Sequence, residues 1–340
     1  MTDATRSHDW PALADPAISV LICNYNYARY VAAAIESVLA QTRPAHRILV
    51  VDDGSTDGSR DVIAGFADRV EIHHRPNGGQ IAAVNDGLAM LDGDIVMILD
   101  ADDLLEPSAL ATIATGFAAG VVKLHFPLAL IDGDGIQLGG TIPRRLDDGD
   151  VKARIITGDL YDSSPGSGNA YRLGAVRMLL PLPSDPTDRH GADYFLMFGI
   201  GLLGTVRAID VPLTKYRVHD RPTSLSFGNA HRKRDSGEVR GRRLAAWIDG
   251  KFNLRIVSPV PDFSAQKVFF AADVLACSTY LSRVRVGLGL IRGLLPSIRR
   301  FRSQLPGIGM ILILWAYIVV LAPKPLAEWA ARKVCNPSAR

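Results

Sequence analysis

Three carboxylates fall within four residues, at Asp100, Asp102 and Asp103, directly after the apolar run 95–99 in "DIVMILDADDLLEP". Like charges this close repel, and a plain turn is served as well by Asn, Gly or Ser. Such a cluster has three physical readings: a solvated acidic turn, a site for a hard divalent cation, or carboxylates sharing a proton. Oxygen-only donors suit Mg2+ or Mn2+, ions that take few protein carboxylates and fill their other positions with phosphate oxygens or water. A second pair, Asp52 and Asp53, ends the apolar run of "RILVVDD". Asp53 can accept hydrogen bonds from a base or ribose, or serve the turn "DDGSTDG". A third polar cluster, Asn24-Tyr25-Asn26, follows "ISVLIC". Tyr25 offers a ring for stacking on a planar base, or is simply an exposed loop tyrosine.

The elements that hold these clusters are readable from their patterning. "ISVLIC" is a continuous β-branched apolar run, the mark of a strand buried on both faces. A helix follows, with Val31, Ile35, Val38 and Leu39 on one face. Strand "RILVVDD", a helix over 59–67, strand "RVEIHHR", the turn "PNGG", a helix over 80–90 and strand "DIVMILD" complete a strand–helix alternation. That alternation predicts an α/β fold with a mixed, mainly parallel sheet flanked by helices, whose ligands sit beyond the carboxyl ends of the strands. All three polar clusters lie at such ends. Beyond Pro107 the pattern predicts a helix to about 119, one strand over 121–132 with a turn at "DGDG", a turn-rich stretch over 147–190, a helix over 192–203 and one strand over 205–219.

At 48% hydrophobic and 21% charged residues, the 340-residue chain has the make-up of a folded protein. A formal net charge of only +3 gives no global basic field for nucleic acid. Cys23, Cys277 and Cys335 lie far apart, without zinc-ligand spacing, and suit a reducing compartment. Four regions are expected: a flexible N-terminal extension at 1–16 with no signal-peptide h-region, a catalytic-type α/β domain at 17–225, a linker and helical region at 226–282, and a tail at 283–340. The tail carries six arginines and no acid between 283 and 302, then 19 uncharged residues over 305–323. It reads as a membrane-associated segment, peripheral or with one C-terminal span, or as a buried core helix.

Four stretches in order, "ISVLICNYNYARYVAAAIESVLAQT", "ILVVDDGSTDGS", "RPNGGQIAAVNDGL" and "GDIVMILDADDLLEP", resemble family 2 glycosyltransferases of the GT-A fold. The resemblance implies a nucleotide-diphosphate sugar donor with UDP favoured, a divalent metal, and inversion at the anomeric carbon. Carried over by position, Cys23, Asn24 and Tyr25 border the base and Asp53 bonds to it. Gly79 and Asn85 belong to the turn and helix that approach the donor, with Gln80 where many members carry Lys or Arg. Asp100 or Asp102 meets the ribose or sugar, and Asp102 or Asp103 holds the metal; D-A-D-D permits two registers. Asp193 in "RHGADYFLMFG" matches the catalytic base, although it lacks the preceding acid common in the family and can equally offset a helix dipole. His219 in "YRVHDRPTSLS" matches a closing segment over the diphosphate, or is a structural histidine.

The Q-x-x-R-W element of processive members is absent from "RRLAAW", which points to single additions. The resulting expectation is an enzyme of cell-surface polysaccharide or glycolipid assembly at the cytoplasmic face of the cell membrane, with a glycan or lipid-linked acceptor. A non-catalytic nucleotide-sugar-binding protein of the same fold and a sugar-phosphate nucleotidyltransferase are the alternatives. The latter needs a Gly-rich loop where this chain has "CNYNYARY".

Overall fold

The computed structural model describes residues 9–186, 189–218, 230–257, 263–302 and 308–335. The chain runs β1 (Ile18–Asn24), α1 (Val31–Leu39), β2 (Arg47–Asp52), α2 (Ser59–Ala64), β3 (Glu71–His74), α3 (Gln80–Met90), β4 (Ile95–Asp100), β5 (Leu104–Leu105) and α4 (Ala109–Ala114). It continues through β6 (Val121–His125), β7 (Leu128–Ile131), β8 (Gln137–Ile142), α5 (Lys152–Ile156), β9 (Asn169–Arg172), α6 (Leu173–Leu179), α7 (Ala192–Ile200), β10 (Thr205–Ala208) and β11 (Thr214–Arg217). Five helices complete it: α8 (Ala230–Phe252), α9 (Phe263–Leu275), α10 (Tyr280–Arg302), α11 (Ile308–Leu321) and α12 (Lys324–Cys335).

A seven-stranded sheet in the order β10-β6-β9-β4-β1-β2-β3 forms the centre of the first compact unit, which comprises the described residues up to 218 and 243–257. Only β9 runs antiparallel to its neighbours β4 and β6. The expected mixed, mainly parallel sheet is therefore present. Helices cover both faces, which is why β1 is apolar over Val20–Cys23: Leu21 joins the core under α3 and α7, while Val20 and Ile22 join the core under α1 and α4. The register then aligns the polar clusters. Asn24 lies opposite Asp52 and Cys23 opposite Asp100, so the three strands deliver their side chains to one edge of the sheet.

A second sheet, β5-β11-β7-β8, adjoins the acidic cluster, because β4 ends at Asp100 and β5 begins at Leu104. Here the structure departs from the expected single strands over 121–132 and 205–219. Each splits in two, β6 from β7 and β10 from β11, and the halves join different sheets. Pro127 and Pro212 lie in the gaps, and a proline has no N–H to continue a ladder. Both halves of the first run are buried, so hydrophobicity alone does not mark the break.

From Trp10 onward the N-terminal segment, expected to be loose, is docked. Trp10 Nε1 donates to the Leu203 carbonyl at 2.8 Å and the Arg172 guanidinium lies 5.4 Å from the Trp10 ring centroid. The end of α8 also belongs to this unit, with Leu244, Ile248 and Phe252 in its core. The second unit comprises the described residues 230–242, 263–302 and 308–335. It is helical, with its own core of Val268, Phe270, Trp315, Val319 and Ala331.

Candidate active site

The acidic turn is held from behind by a residue 114 positions later. The backbone N–H of Arg217, at the end of β11, donates to Asp103 Oδ1 at 2.9 Å. The Arg217 guanidinium donates to the carbonyls of Asp102 (2.8 Å), Asp132 (3.0 Å) and Gly133 (3.1 Å). Asp103 is thereby turned inward and fully buried, whereas Asp100 and Asp102 stay partly open. Burial pushes the Asp103 carboxyl well above its ordinary range, and Asp102 and Asp100 add to the push. Its Oδ2 is one of two buried side-chain oxygens, among the described residues, that lack a hydrogen-bond partner; the other is Asn24 Oδ1.

Because a lysine cannot span three carbonyls, Arg217→Lys is expected to lower stability by about 2 kcal/mol, the worth of one to two charge-assisted hydrogen bonds. A melting curve reads this, and nucleotide binding should weaken with it as the turn loosens. An unchanged melting temperature would mean that the turn holds its shape without the clamp.

Asp193 occupies the first turn of α7, after Gly191, whose φ of +88° favours glycine at the helix start. The structure brings Asp193 to the acidic cluster through one loop, 163–168. Gly166 N–H points at Asp193 Oδ2 at 3.4 Å, and a Cβ built on Gly166 would lie 2.4 Å from Asp100 Oδ2. The next residue, Ser167, accepts the Asp100 N–H through its Oγ at 2.9 Å. The Asp100 carboxyl is pushed up to about 7 by burial, then by the charges of Asp102 and Asp193. All four carboxylates also act on Tyr216, whose hydroxyl is pushed up to about 12, chiefly by burial. Sequence reasoning gave Gly166 and Ser167 no role, and placed Arg217 only in the segment that resembles a closing element over the diphosphate, not behind the acidic turn. Only the glycine-serine density of "SSPGSGN" hinted at a backbone passing close to something.

Beneath this loop lies a buried polar network that the sequence did not announce. Lys123 Nζ donates to Ser163 Oγ and, at 3.1 Å, to Tyr161 Oη. His125 Nδ1 lies 3.3 Å from the same Ser163 Oγ, and its Nε2 lies 2.7 Å from the Asp147 carbonyl. Burial lowers the Lys123 ammonium well below its ordinary range, opposed by Asp193. Burial and then Lys123 push His125 down to about 3, so it is neutral at physiological pH.

At the β1 and β2 ends the predicted residues are adjacent but differently employed. Tyr25 is 45% exposed and offers its ring to solvent. Asn24 Nδ2 donates to Asp52 Oδ1 and Ser55 Oγ, both at 3.0 Å. Burial, reinforced by Asp100 and Asp53, pushes the Cys23 thiol far up and keeps it protonated. Asp53 is buried and accepts from Arg75 Nη1, Asn77 Nδ2 (3.2 Å) and the backbone N–H groups of Gly78 (2.8 Å) and Gly79 (2.7 Å). Four donors occupy both carboxylate oxygens, so Asp53 anchors the "RPNGG" turn, and a base could reach it only by replacing one of them.

That turn docks on the segment before Asp193. Gly79 has φ +89°, and a Cβ there would meet Arg189 Cβ at 2.4 Å. Gln80 Oε1 accepts the Gly191 N–H at 2.9 Å. The Gln80 amide therefore ties α3 to the start of α7. Asn85 exchanges two hydrogen bonds with the backbone of Leu182, at 3.0 and 2.8 Å. His219 lies outside the described residues.

Comparison with known sequences decides the family. The chain is 35% identical over 247 residues to an uncharacterized glycosyltransferase of Nostoc sp., covering 70% of this chain and 76% of the relative. The sequence profile of glycosyl transferase family 2 matches residues 19–143, which hold β1 to β4 and the acidic turn. This chain is a family 2 glycosyltransferase. Against GlyG of Streptococcus pneumoniae the glycosyltransferase is 35% identical over 100 residues, 28% of this chain and 33% of that protein. The solved structure of Staphylococcus aureus TarS 1–349 in complex with UDP-GlcNAc matches over 94% of this chain and 91% of that one, with a TM-score of 0.51 at 15% identity. That likeness supports the GT-A arrangement of the fold.

Proposed function

We propose that this glycosyltransferase moves a single sugar from a nucleotide-diphosphate donor, UDP-linked in preference, to the hydroxyl of a glycan or lipid-linked acceptor in surface polysaccharide or glycolipid assembly, with inversion at the anomeric carbon. One observation carries the reading: Asp193 and the partly open Asp100 converge on the Gly166 loop at the end of β4, with the charge of Asp102 also acting on Asp100. In the TarS complex named above, UDP-GlcNAc is the bound nucleotide sugar, which makes UDP the first nucleotide to test.

The residues fit a hard divalent cation. The donors are carboxylate oxygens only, and Asp103 Oδ2 is buried without a partner. Among the described residues no three His, Cys, Asp or Glu side chains are grouped to hold an ion, so phosphate oxygens and water would have to complete its shell. Asp102 would hold the metal, with Asp103 behind it; bound there, the metal would neutralise the charge of the departing diphosphate. The inward turn of Asp103 favours the register in which Asp100 and Asp102 face the donor. Asp193 takes the proton of the acceptor hydroxyl as its oxygen bonds to the anomeric carbon, and the nucleoside diphosphate leaves with the electron pair of the broken bond. Tyr25 stacks on the base, with Cys23, Asn24 and the Asp53-anchored turn, including Gly79, along its edge. Asn85 acts at one remove, by holding the 182 loop, and His219 is a candidate to close over the diphosphate.

The test is a thermal-shift panel of UDP, GDP, dTDP and CMP, each with Mn2+ and with EDTA, on the native protein and Asp102→Ala. One nucleotide should raise the melting temperature of the native protein with Mn2+ only, and Asp102→Ala should abolish that rise. A rise that survives both EDTA and the substitution would remove the metal from the mechanism.

A further inference from the structure

The second unit carries a surface whose chemistry the sugar-transfer site does not use. Its helix α11 is apolar on every side, yet only one side is covered. Leu312, Trp315, Ala316, Val319 and Val320 form the unit's core, while Met310, Ile311, Leu314, Tyr317 and Leu321 face solvent. Met310 is 74% exposed and Ile311 65%. The described 14 residues of the helix are about 21 Å long, short of the roughly 30 Å hydrocarbon core of a bilayer. Among the described residues no helix is long and apolar enough to cross a membrane. The helix is nonetheless fixed in place. Buried Arg283 of α10 donates to the Val320 and Ala322 carbonyls, capping its C-terminal end, and a Cβ on Gly287 would meet Val320 Cγ2 at 2.4 Å.

The neighbouring helices add mostly positive charge. Leu281, Arg285, Leu288 and Arg292 are exposed along α10 at helical spacing. On α12, Leu326 and Trp329 are exposed beside Lys324, Arg332 and Lys333. From 274 to 340 the sequence holds ten basic residues and one acid, Glu328, whereas residues 1–273 hold 28 basic and 34 acidic. An exposed apolar face on a helix packed against two helices that carry exposed cations, in a chain whose remainder is net acidic, matches an anionic bilayer surface: apolar side chains enter the acyl boundary and arginines meet headgroups. A water-facing helix has no use for five large apolar side chains in a row of turns.

We propose that the exposed face of α11, Met310 to Leu321, lies in the plane of an anionic membrane surface, with the α10 and α12 cations at the headgroups. The membrane is thus met by a monotopic face, in place of either the span or the fully buried helix that the uncharged stretch suggests by itself. The inference stands independently of the sugar-transfer reading.

Flotation of the full chain with phosphatidylcholine vesicles, with and without phosphatidylglycerol, tests it. The native protein should float with the anionic vesicles only. Arg285→Gln with Arg292→Gln should weaken that binding roughly 30-fold, at about 1 kcal/mol for each cation near the surface. Ile311→Asp with Leu314→Asp should abolish it while leaving the melting curve unchanged, since both side chains are exposed. Three results would each overturn the proposal: no flotation of the native protein, flotation of the Asp variant equal to native, or a native dimer that the Asp variant dissociates, which would give the face to a second copy of the chain.

Discussion

Replacing Asp193 with Asn is expected to lower the rate of sugar transfer by about 10³-fold, within the span typical for loss of a general base. That fall corresponds to about 4 kcal/mol of barrier. The substitution is nearly isosteric. Asn retains an oxygen able to accept the Tyr194 N–H, now 2.8 Å from Asp193 Oδ1, so the start of α7 should keep its shape. It also removes one of the two charges that, after burial, push Asp100 upward, and gives up only the long 3.4 Å contact from the Gly166 N–H, which an amide nitrogen cannot accept. Nucleotide affinity should therefore stay at its native value while kcat collapses, the signature of a group that acts only as the bond forms. Calorimetry with the nucleotide and a transfer assay on the same preparation separate the two quantities. Retention of a tenth or more of native kcat would assign the proton to another group and reduce Asp193 to a dipole-offsetting residue.

Much of this site was legible in the sequence because its parts are local. Strands that are apolar throughout and end in polar clusters announce themselves, and a parallel sheet forces their carboxyl ends to one edge. The register of Asn24 with Asp52 and of Cys23 with Asp100 then follows from the fold. What was illegible depends on partners distant in sequence. Nothing local distinguishes Asp102 from Asp103; the difference arises because Arg217 arrives on β11 and draws Asp103 inward. Asp53 looks like a free acceptor until the Gly78-Gly79 backbone folds onto it. Asn85 sits on the correct helix for donor contact, but the Leu182 loop takes both ends of its amide. The first run that splits between sheets failed for a related reason: period and propensity report burial, and that chain stays largely buried as it changes sheets.

Gly166→Ala puts the geometry of the site, as distinct from its chemistry, to the test. The added methyl would lie 2.4 Å from Asp100 Oδ2, and the residue's φ of +26° is already one that L side chains rarely adopt. Either Asp100 rotates away or the 163–168 loop retreats. In the second case the Gly166 N–H leaves Asp193 Oδ2, and Ser167 carries the Asp100 backbone contact with it. Donor and base are then displaced relative to each other by a fraction of an ångström to an ångström, a shift that costs on the order of 10²-fold in rate. Overpacking should also cost about 1–3 kcal/mol of stability. The control is Gly58→Ala, at φ +87° before α2, where an added Cβ meets nothing within 4 Å. It suffers backbone strain alone, so it should lower the melting temperature without touching kcat/KM. If both alanines lowered the melting temperature and left transfer equally intact, the Gly166 loop would be a spacer, and the convergence of Asp100 with Asp193 would have no part in catalysis. If Gly166→Ala alone lost activity, the close approach of backbone to carboxylate would be what sets donor against base.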